Sequence, residues 1–322
     1  MRLIRGLTNL KRIAGRADSP LASGCVATIG NFDGVHRGHT TIISQVKEKS
    51  RALGLPSVVI IFEPQPQEFF RGDQAPPRLM PFRQKFEALL AEGVDMVLCI
   101  RFDQTFRSYS AMGFIDDVLI GGLGVRHLVV GDDFRFGCDR AGDFRLLNQV
   151  GQERGFSVEN TRTVTVDGER VSSTRVRNAL TVNGLEEAER LLGHPYRIHG
   201  RVVYGRQLGR QLGAPTANIL LHKMAALRGV YVVRARLDSG QWQDGIANIG
   251  LRPTVDGKRP SLEVHLFDFA GTLYGQHLDV VFRHGLRDEV KFDSVDELRQ
   301  QIVRDFETAR AWLAANPATP DT

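Results

Sequence analysis

The feature that most restricts what this 322-residue chain can fold into is a change of hydrophobic rhythm along it. Up to Asn160, short apolar runs alternate with amphipathic segments. Strands are predicted at Cys25–Ile29, Ser57–Phe62, Val94–Ile100, Val125–Gly131 and Ser157–Asn160, and helices at Thr40–Leu53, Phe82–Glu92, Ala111–Leu119 and Asp143–Arg154. Such alternation builds an α/β Rossmann-like layer, a parallel sheet covered by helices with ligands at the carboxyl ends of its strands. The rhythm breaks at Gly193-His194-Pro195-Tyr196, after a helical stretch over Glu186–Leu192. Strand-like segments then recur without helices between them, at Ile198–Tyr204, Gly229–Leu237, Trp242–Ile249, Ser261–Phe267 and His277–Phe282, which predicts a small antiparallel β-barrel. A C-terminal helix over Val295–Ala315 is announced by Ser294 and Glu297 as a capping box, and the tail from Asn316 is expected to fray. Two rhythms in a chain longer than most single domains predict two domains, 1–184 and 185–322.

The first apolar run ends in Gly30-Asn31-Phe32-Asp33-Gly34-Val35-His36-Arg37-Gly38-His39, just where a helical pattern starts. A strand-to-helix turn aims backbone N–H groups and the positive end of a helix dipole at an anion. Glycines let the backbone approach that anion, and His36 and His39 can each set a ring N–H against a triphosphate. Taken alone, a glycine-rich turn with incidental histidines has the same composition. His-x-Gly-His in the first strand–helix turn, however, resembles the signature of nucleotidyltransferases, which attack the α-phosphate of a nucleoside triphosphate and release pyrophosphate. The competing Gly-x-x-x-x-Gly-Lys-Ser/Thr motif is absent from the sequence.

A net charge of +5 suits anionic partners, but the basic residues are dispersed beside acids, as in Arg287-Asp288-Glu289-Val290-Lys291. That pattern points to small anionic substrates and away from nucleic acid. No apolar run reaches the ~18–20 residues of a membrane span, and the three cysteines, Cys25, Cys99 and Cys138, show no Cys-x-x-Cys spacing. A cytoplasmic protein that does not engage a membrane is expected; oligomeric state is left open.

Further motifs carry chemistry. Gly205-Arg206-Gln207-Leu208-Gly209-Arg210-Gln211-Leu212-Gly213 reads by itself as a flexible loop, yet it runs directly into Ala214-Pro215-Thr216-Ala217-Asn218. A glycine loop leading to Thr216 and Asn218 oxygens suits a magnesium–nucleotide site. Ser173, Thr174 and Arg177, in Val171-Ser172-Ser173-Thr174-Arg175-Val176-Arg177, read either as an ordinary helix cap with a surface Arg or as donors to phosphates.

With these motifs together, the chain resembles the bifunctional riboflavin kinase/FAD synthetases of the prokaryotic type over nearly its whole length. The resemblance is carried by Gly30–His39, Phe62–Pro66, Gly131–Gly137 and Val171–Arg177 in the first half. In the second it is carried by Gly209–Asn218, Asn248–Thr254, Leu262–Leu266, Leu273–Gly275 and Leu286–Phe292. Gln65 stands where many relatives carry His. The resemblance implies a nucleotidyltransferase domain (FMN adenylyltransferase) followed by a riboflavin kinase barrel: riboflavin and ATP give FMN and ADP, then FMN and ATP give FAD and pyrophosphate, with Mg²⁺.

For adenylylation the nucleophile is an already ionised FMN phosphate, so alignment and charge stabilisation are needed rather than a strong base. His36 and His39 are the expected catalytic donors. Gly30, Phe32, Asp33, Ser173, Thr174 and Arg177 complete the expected ATP site, with Phe62, Asp133 and Phe136 on the flavin side. For phosphorylation the ribityl hydroxyl must lose a proton. Glu263, between apolar Leu262 and Val264, matches the family base; an outward carboxylate is the plainer alternative. Gly205, Gly209 and Gly213 with Thr216 and Asn218 form the expected kinase ATP site, Thr216 and Asn218 being the metal ligands. Arg287, Glu289, Lys291 and Phe292 are expected beside the flavin. Two other readings exist: a single-activity flavin enzyme with one decayed module, and a flavin-responsive RNA-binding regulator.

Overall fold

The computed structural model describes residues 2–131, 133–205, 214–221, 223–254 and 257–317. Packing divides the chain into two compact units, Met1–Pro76 with Lys85–Val171, and Pro77–Gln84 with Ser172–Thr322.

The first unit is built on β1 (Leu3–Arg5), β2 (Cys25–Ile29), β3 (Ser57–Glu63), β4 (Met96–Arg101), β5 (Val125–Val130) and β6 (Ser157–Asn160). They form one parallel sheet in the order β1-β4-β3-β2-β5-β6. All five residues of β2 and the first five of β3 are buried, which is why these strands read as unbroken apolar runs rather than alternating ones. From β2 the chain steps outward through β3 and β4 on one side, then crosses back to β5 on the other. The carboxyl ends of β2 and β5 therefore flank the topological switch point, where an open α/β sheet has its ligand crevice. Two segments leave the sheet there, Gly30–His39 after β2 and Gly131–Gly137 after β5.

The helix predicted from Thr40 begins at Arg37 and runs to Leu53, ending on Gly54 with φ 64°. The helix predicted over Ala111–Leu119 starts as an α-helix and winds as a π-helix from Ile115 to Ile120. Absent from the sequence reading are β1, the helix Gly6–Ile13 and the hairpin of β7 (Thr165–Val166) and β8 (Glu169–Arg170). Strands of two or three residues carry no periodicity; pairing with a neighbour makes them.

The second unit is a closed barrel of β9 (Arg197–Val203), β10 (Ala217–Leu220), β11 (Gly229–Leu237), β12 (Trp242–Thr254), β13 (Gly257–Leu266) and β14 (His277–Arg287). Its order is β10-β13-β12-β11-β14-β9, antiparallel throughout and closed by β9 on β10. The C-terminal helix, Val295–Ala315, lays Phe306, Ala309, Trp312 and Leu313 against Val230, Val232, Ile246 and Phe267. Ser294 caps it by accepting from Glu297 N at 3.1 Å, but the Glu297 carboxylate accepts from Asp293 N, one residue before the position a capping box uses. Residues 318–322 of the expected frayed tail lie outside the described residues.

The helices Ser173–Thr181 and Leu185–Leu192 belong together: Arg175 Nη2 donates to Glu187 Oε1 at 2.6 Å. That packing runs across the 184/185 division, so compactness sets the unit boundary earlier, between Val171 and Ser172.

Candidate functional site

In the first unit His36 is the cap of the helix after β2, its Nδ1 accepting from His39 N at 3.3 Å. A ring nitrogen that accepts carries no proton, so the His36 proton sits on Nε2 as a donor. The His36 and His39 rings stack 3.6 Å apart at 14°, and the Phe32 ring lies 4.8 Å from His39. Phe32 and Val35 hold φ of 47° and 39°, left-handed values that non-glycine residues rarely adopt. A Cβ on Gly30 would come within 3.0 Å of the Phe32 ring, and one on Gly38 within 3.2 Å of the His36 ring. Phe32 and Asp33 are each 1% exposed and His36 is 5% exposed, so the turn is built from inside, with the His36 and His39 rings stacked on one another.

The expected flavin residues divide. Phe62, at the end of β3, packs edge-on to Phe102 at 5.8 Å and tilted to Phe106 at 5.5 Å, and Phe136 is buried with its ring stacked 5.5 Å from Phe134. Asp133 is instead largely exposed, 3.5 Å from the Arg170 guanidinium. Phe102, Phe106 and Phe134, which sequence reasoning did not single out, are the rings these two pack against, just beyond the carboxyl ends of β4 and β5.

Ser173, Thr174 and Arg177 lie on a helix of the second unit. The cap is Ser172, whose hydroxyl accepts from Arg175 N, so Ser173 and Thr174 are the first helical residues and present N–H groups. Arg177 Nε donates to the Pro77 carbonyl at 2.7 Å, which anchors the guanidinium to residues 77–84.

In the barrel, register places two predicted residues, Asn218 and Glu263, in one row with Asn248, which sequence reasoning did not single out as a site residue. Asn248 pairs with Glu263 across β12 and β13, and Asn218 pairs with Glu263 across β13 and β10. Alternation along a strand then puts Thr216 with Asn218, and His265 with Glu263, on one face. A cavity of about 400 Å³ opens there, lined by Thr216, Asn248, Glu263, His265, Glu289 and Phe292 among others. A second cavity of about 330 Å³ is lined by Pro215, Thr216, Phe269, Thr272 and Tyr274. Thr216 lines both. Asn218 is 5% exposed and lines neither; its Nδ2 donates to the Thr216 carbonyl at 3.2 Å. A Cβ on Gly205 would fall 2.6 Å from the Asn218 amide, so that glycine makes room for it. Gly209 and Gly213 lie outside the described residues.

At and after the end of β14, Arg287, Glu289 and Phe292 line the larger cavity, whereas Lys291 is exposed and does not line it. Arg287 Nε lies 3.0 Å from each oxygen of the buried Asp305, and Nη2 lies 2.7 Å from Oδ2, with the guanidinium 5.7 Å from the Phe292 ring. Its charge is thus tied down as a wall of the cavity.

His265 is a further residue that sequence reasoning missed. Its Nδ1 donates to the Pro215 carbonyl at 2.8 Å, and its ring stacks on Phe306 at 4.6 Å. Burial, reinforced by Arg310 against the opposing Pro215 bond and Asp268, holds its pKa below the ordinary histidine value. A neutral ring thereby ties the segment before Thr216 to the strand that carries Glu263.

Comparison with known proteins decides the family. Residues 18–175 match the FAD synthetase family model and residues 192–313 the riboflavin kinase model. A bifunctional riboflavin kinase/FMN adenylyltransferase of Pseudomonas fluorescens is 54% identical over 98% of each chain. The chain belongs to this family. The Escherichia coli K12 and Haemophilus influenzae members, of the same description, are 50% and 47% identical, covering 97% of this chain and 98–99% of theirs. A crystal structure described as a macrolide-efflux protein from Streptococcus pneumoniae superposes with a TM-score of 0.77 at 29% identity, covering 97% of this chain and all of the other. Among the described residues no helix is long and apolar enough to cross a membrane.

Proposed function

We propose that this riboflavin kinase/FMN adenylyltransferase divides its two reactions between its two halves. The barrel unit phosphorylates riboflavin with ATP, and the parallel-sheet unit adenylylates FMN with ATP, giving FAD and pyrophosphate. The observation that carries the reading is Thr216 on the shared wall of two cavities, one holding Glu263. Phosphoryl transfer needs an acceptor site and a nucleotide site that meet at one point. The larger cavity, with its apolar lining and Glu263, takes riboflavin; the smaller, with Tyr274 and Thr272, takes ATP.

Glu263 accepts the proton of the ribityl hydroxyl as its oxygen bonds to the γ-phosphorus and ADP leaves. The Thr216 hydroxyl and the Asn218 amide oxygen are hard donors, and among the described residues no three His, Cys, Asp or Glu side chains cluster as a cage. A donor set this sparse suits Mg²⁺ carried with nucleotide phosphates and held by one or two protein oxygens. When bound, the ion offsets charge on the transferring phosphoryl group.

In the first half, the FMN phosphate attacks the α-phosphorus of ATP and pyrophosphate departs. His36 Nε2 and the stacked His39 ring donate to the oxygens on which charge develops. Gly30, Phe32 and Asp33 hold that turn. The rings of Phe62, Phe102, Phe106, Phe134 and Phe136 offer flat apolar surface to the isoalloxazine. The cytoplasm, which keeps thiols reduced, suits Cys25, Cys99 and Cys138, none of them in a disulfide.

Glu263→Gln tests the kinase reading. It keeps the shape and removes the proton acceptor, so riboflavin phosphorylation should fall ~10²–10⁴-fold while adenylylation of supplied FMN persists. Wild-type phosphorylation at saturating Mg-ATP would assign the base elsewhere.

A further inference from the structure

Asn248 stands in the middle of β12, paired with Val230 on one side and Glu263 on the other. Opposed residues on one face of antiparallel strands keep their Cβ atoms about 4.5–5.5 Å apart, so its amide and the Glu263 carboxylate sit side by side on the same cavity wall. Among the described residues its Oδ1 is buried and accepts no hydrogen bond. Buried side-chain acceptors nearly always have partners, because leaving one unsatisfied costs its lost hydration. Two positions along the strand, a Cβ on Gly250 would collide with the Glu289 carboxylate, so this wall is packed closely from the β14 side as well. An orphan acceptor on such a wall is completed by a donor that the ligand brings.

We propose that Asn248 determines flavin specificity by accepting a hydrogen bond from a secondary hydroxyl of the ribityl chain, thereby setting the terminal hydroxyl against Glu263. The inference rests on Glu263 being the base, because the hydroxyl that faces Glu263 fixes which part of the chain lies beside Asn248. An isoalloxazine ring lodged against Phe292 places its N3–H at the far end of the ligand from Glu263, which leaves the polyol hydroxyls as the donors in reach. The residue holds the substrate in register and takes no proton in the reaction.

The test compares riboflavin with an analogue whose N10 chain is 5-hydroxypentyl, which keeps the primary hydroxyl and lacks the secondary ones. Wild-type enzyme should phosphorylate the analogue with kcat/KM about 10- to 100-fold lower, the usual consequence of one unsatisfied buried polar group. Equal kcat/KM for both flavins in the wild-type enzyme overturns the proposal without any variant. Asn248→Ala should lower kcat/KM for riboflavin by a similar factor and bring the ratio between the two flavins towards one. Asn248→Leu, which fills the space and removes the orphan oxygen, should do the same while melting no lower than wild type without ligand. A loss of equal size for both substrates, or a ratio unchanged in both variants, means Asn248 is structural. Glu263→Gln separates the two readings: it should lower kcat for both flavins and preserve their ratio, so a failed base assignment appears as unchanged kcat in that variant alone.

Discussion

At the scale of single residues, the turn after β2 makes the sharpest demand. The His36 Nδ1 accepts from the backbone, so the donor that remains is fixed at Nε2, and His39 is held against it by stacking. His36→Ala or His39→Ala should lower FAD formation from FMN ~10²–10³-fold and leave FMN formation from riboflavin near wild type. Parallel assays of the two steps check this, and an unchanged adenylylation rate in both variants removes the histidines from the reaction. A second residue-scale prediction concerns His127, buried at the start of β5 with Nδ1 2.7 Å from Ser157 Oγ and Nε2 3.3 Å from Glu159. Burial first, then Lys49, lowers its pKa from 6.5, against the opposing pull of Glu159. The unfolded chain therefore binds this proton at a higher pH than the folded one does, and stability rises with pH through that interval. The His127 contribution is complete above 6.5 and is lost as pH falls below it; His127→Gln should flatten that part of a melting-temperature profile. An equal slope in the variant would place the dependence on other groups.

At the scale of elements, legibility from sequence followed the physics of each segment. Strands buried on both faces, such as Cys25–Ile29, and the long amphipathic helix Val295–Ala315 were visible with their boundaries, because burial itself writes their pattern. β10 was not: Ala217-Asn218-Ile219-Leu220 has little strand propensity, and only pairing with β13 and β9 makes it extended. Missing β10 hid the register that sets Asn218, Glu263 and Asn248 in one row, and with it the significance of Asn248. The individual motifs pointed to Thr216, Glu263 and the two histidines as candidates, whereas the contacts of Phe102, His265 and Asp305 are with partners distant in sequence, Phe62, Pro215 and Arg287. His265→Phe keeps the stack on Phe306 and removes the bond to Pro215 O. It should raise the KM for Mg-ATP in the kinase step more than it lowers kcat; an unaffected KM would make that bond dispensable. Asp305→Ala releases the Arg287 guanidinium and should cost about 2 kcal/mol of stability together with a higher KM for riboflavin, read by melting and by initial rates.

At the scale of the whole molecule, the two sequence rhythms correspond to two units with separate cores, one around a parallel sheet and one inside a barrel. Their boundary was less legible because the two helices at 173–192 are joined by Arg175 and Glu187, a pairing that sequence periodicity does not show. A fragment of residues 172–322 keeps the barrel and both helices and should phosphorylate riboflavin, but without Pro77–Gln84, which bonds Arg177, Arg197 and His199, it should melt below the intact chain; one of residues 185–322, having also lost the helix that carries Arg175, should melt lower still.

The central claim is that two independent chemistries reside in one chain, and separating FMN from FAD chromatographically during turnover of riboflavin with Mg-ATP tests it most directly. With Glu263→Gln neither flavin nucleotide should accumulate from riboflavin, yet supplied FMN should still become FAD. With His36→Ala, FMN should accumulate and FAD should not. Loss of both steps in either variant, or of neither in both, would contradict the division of labour described here.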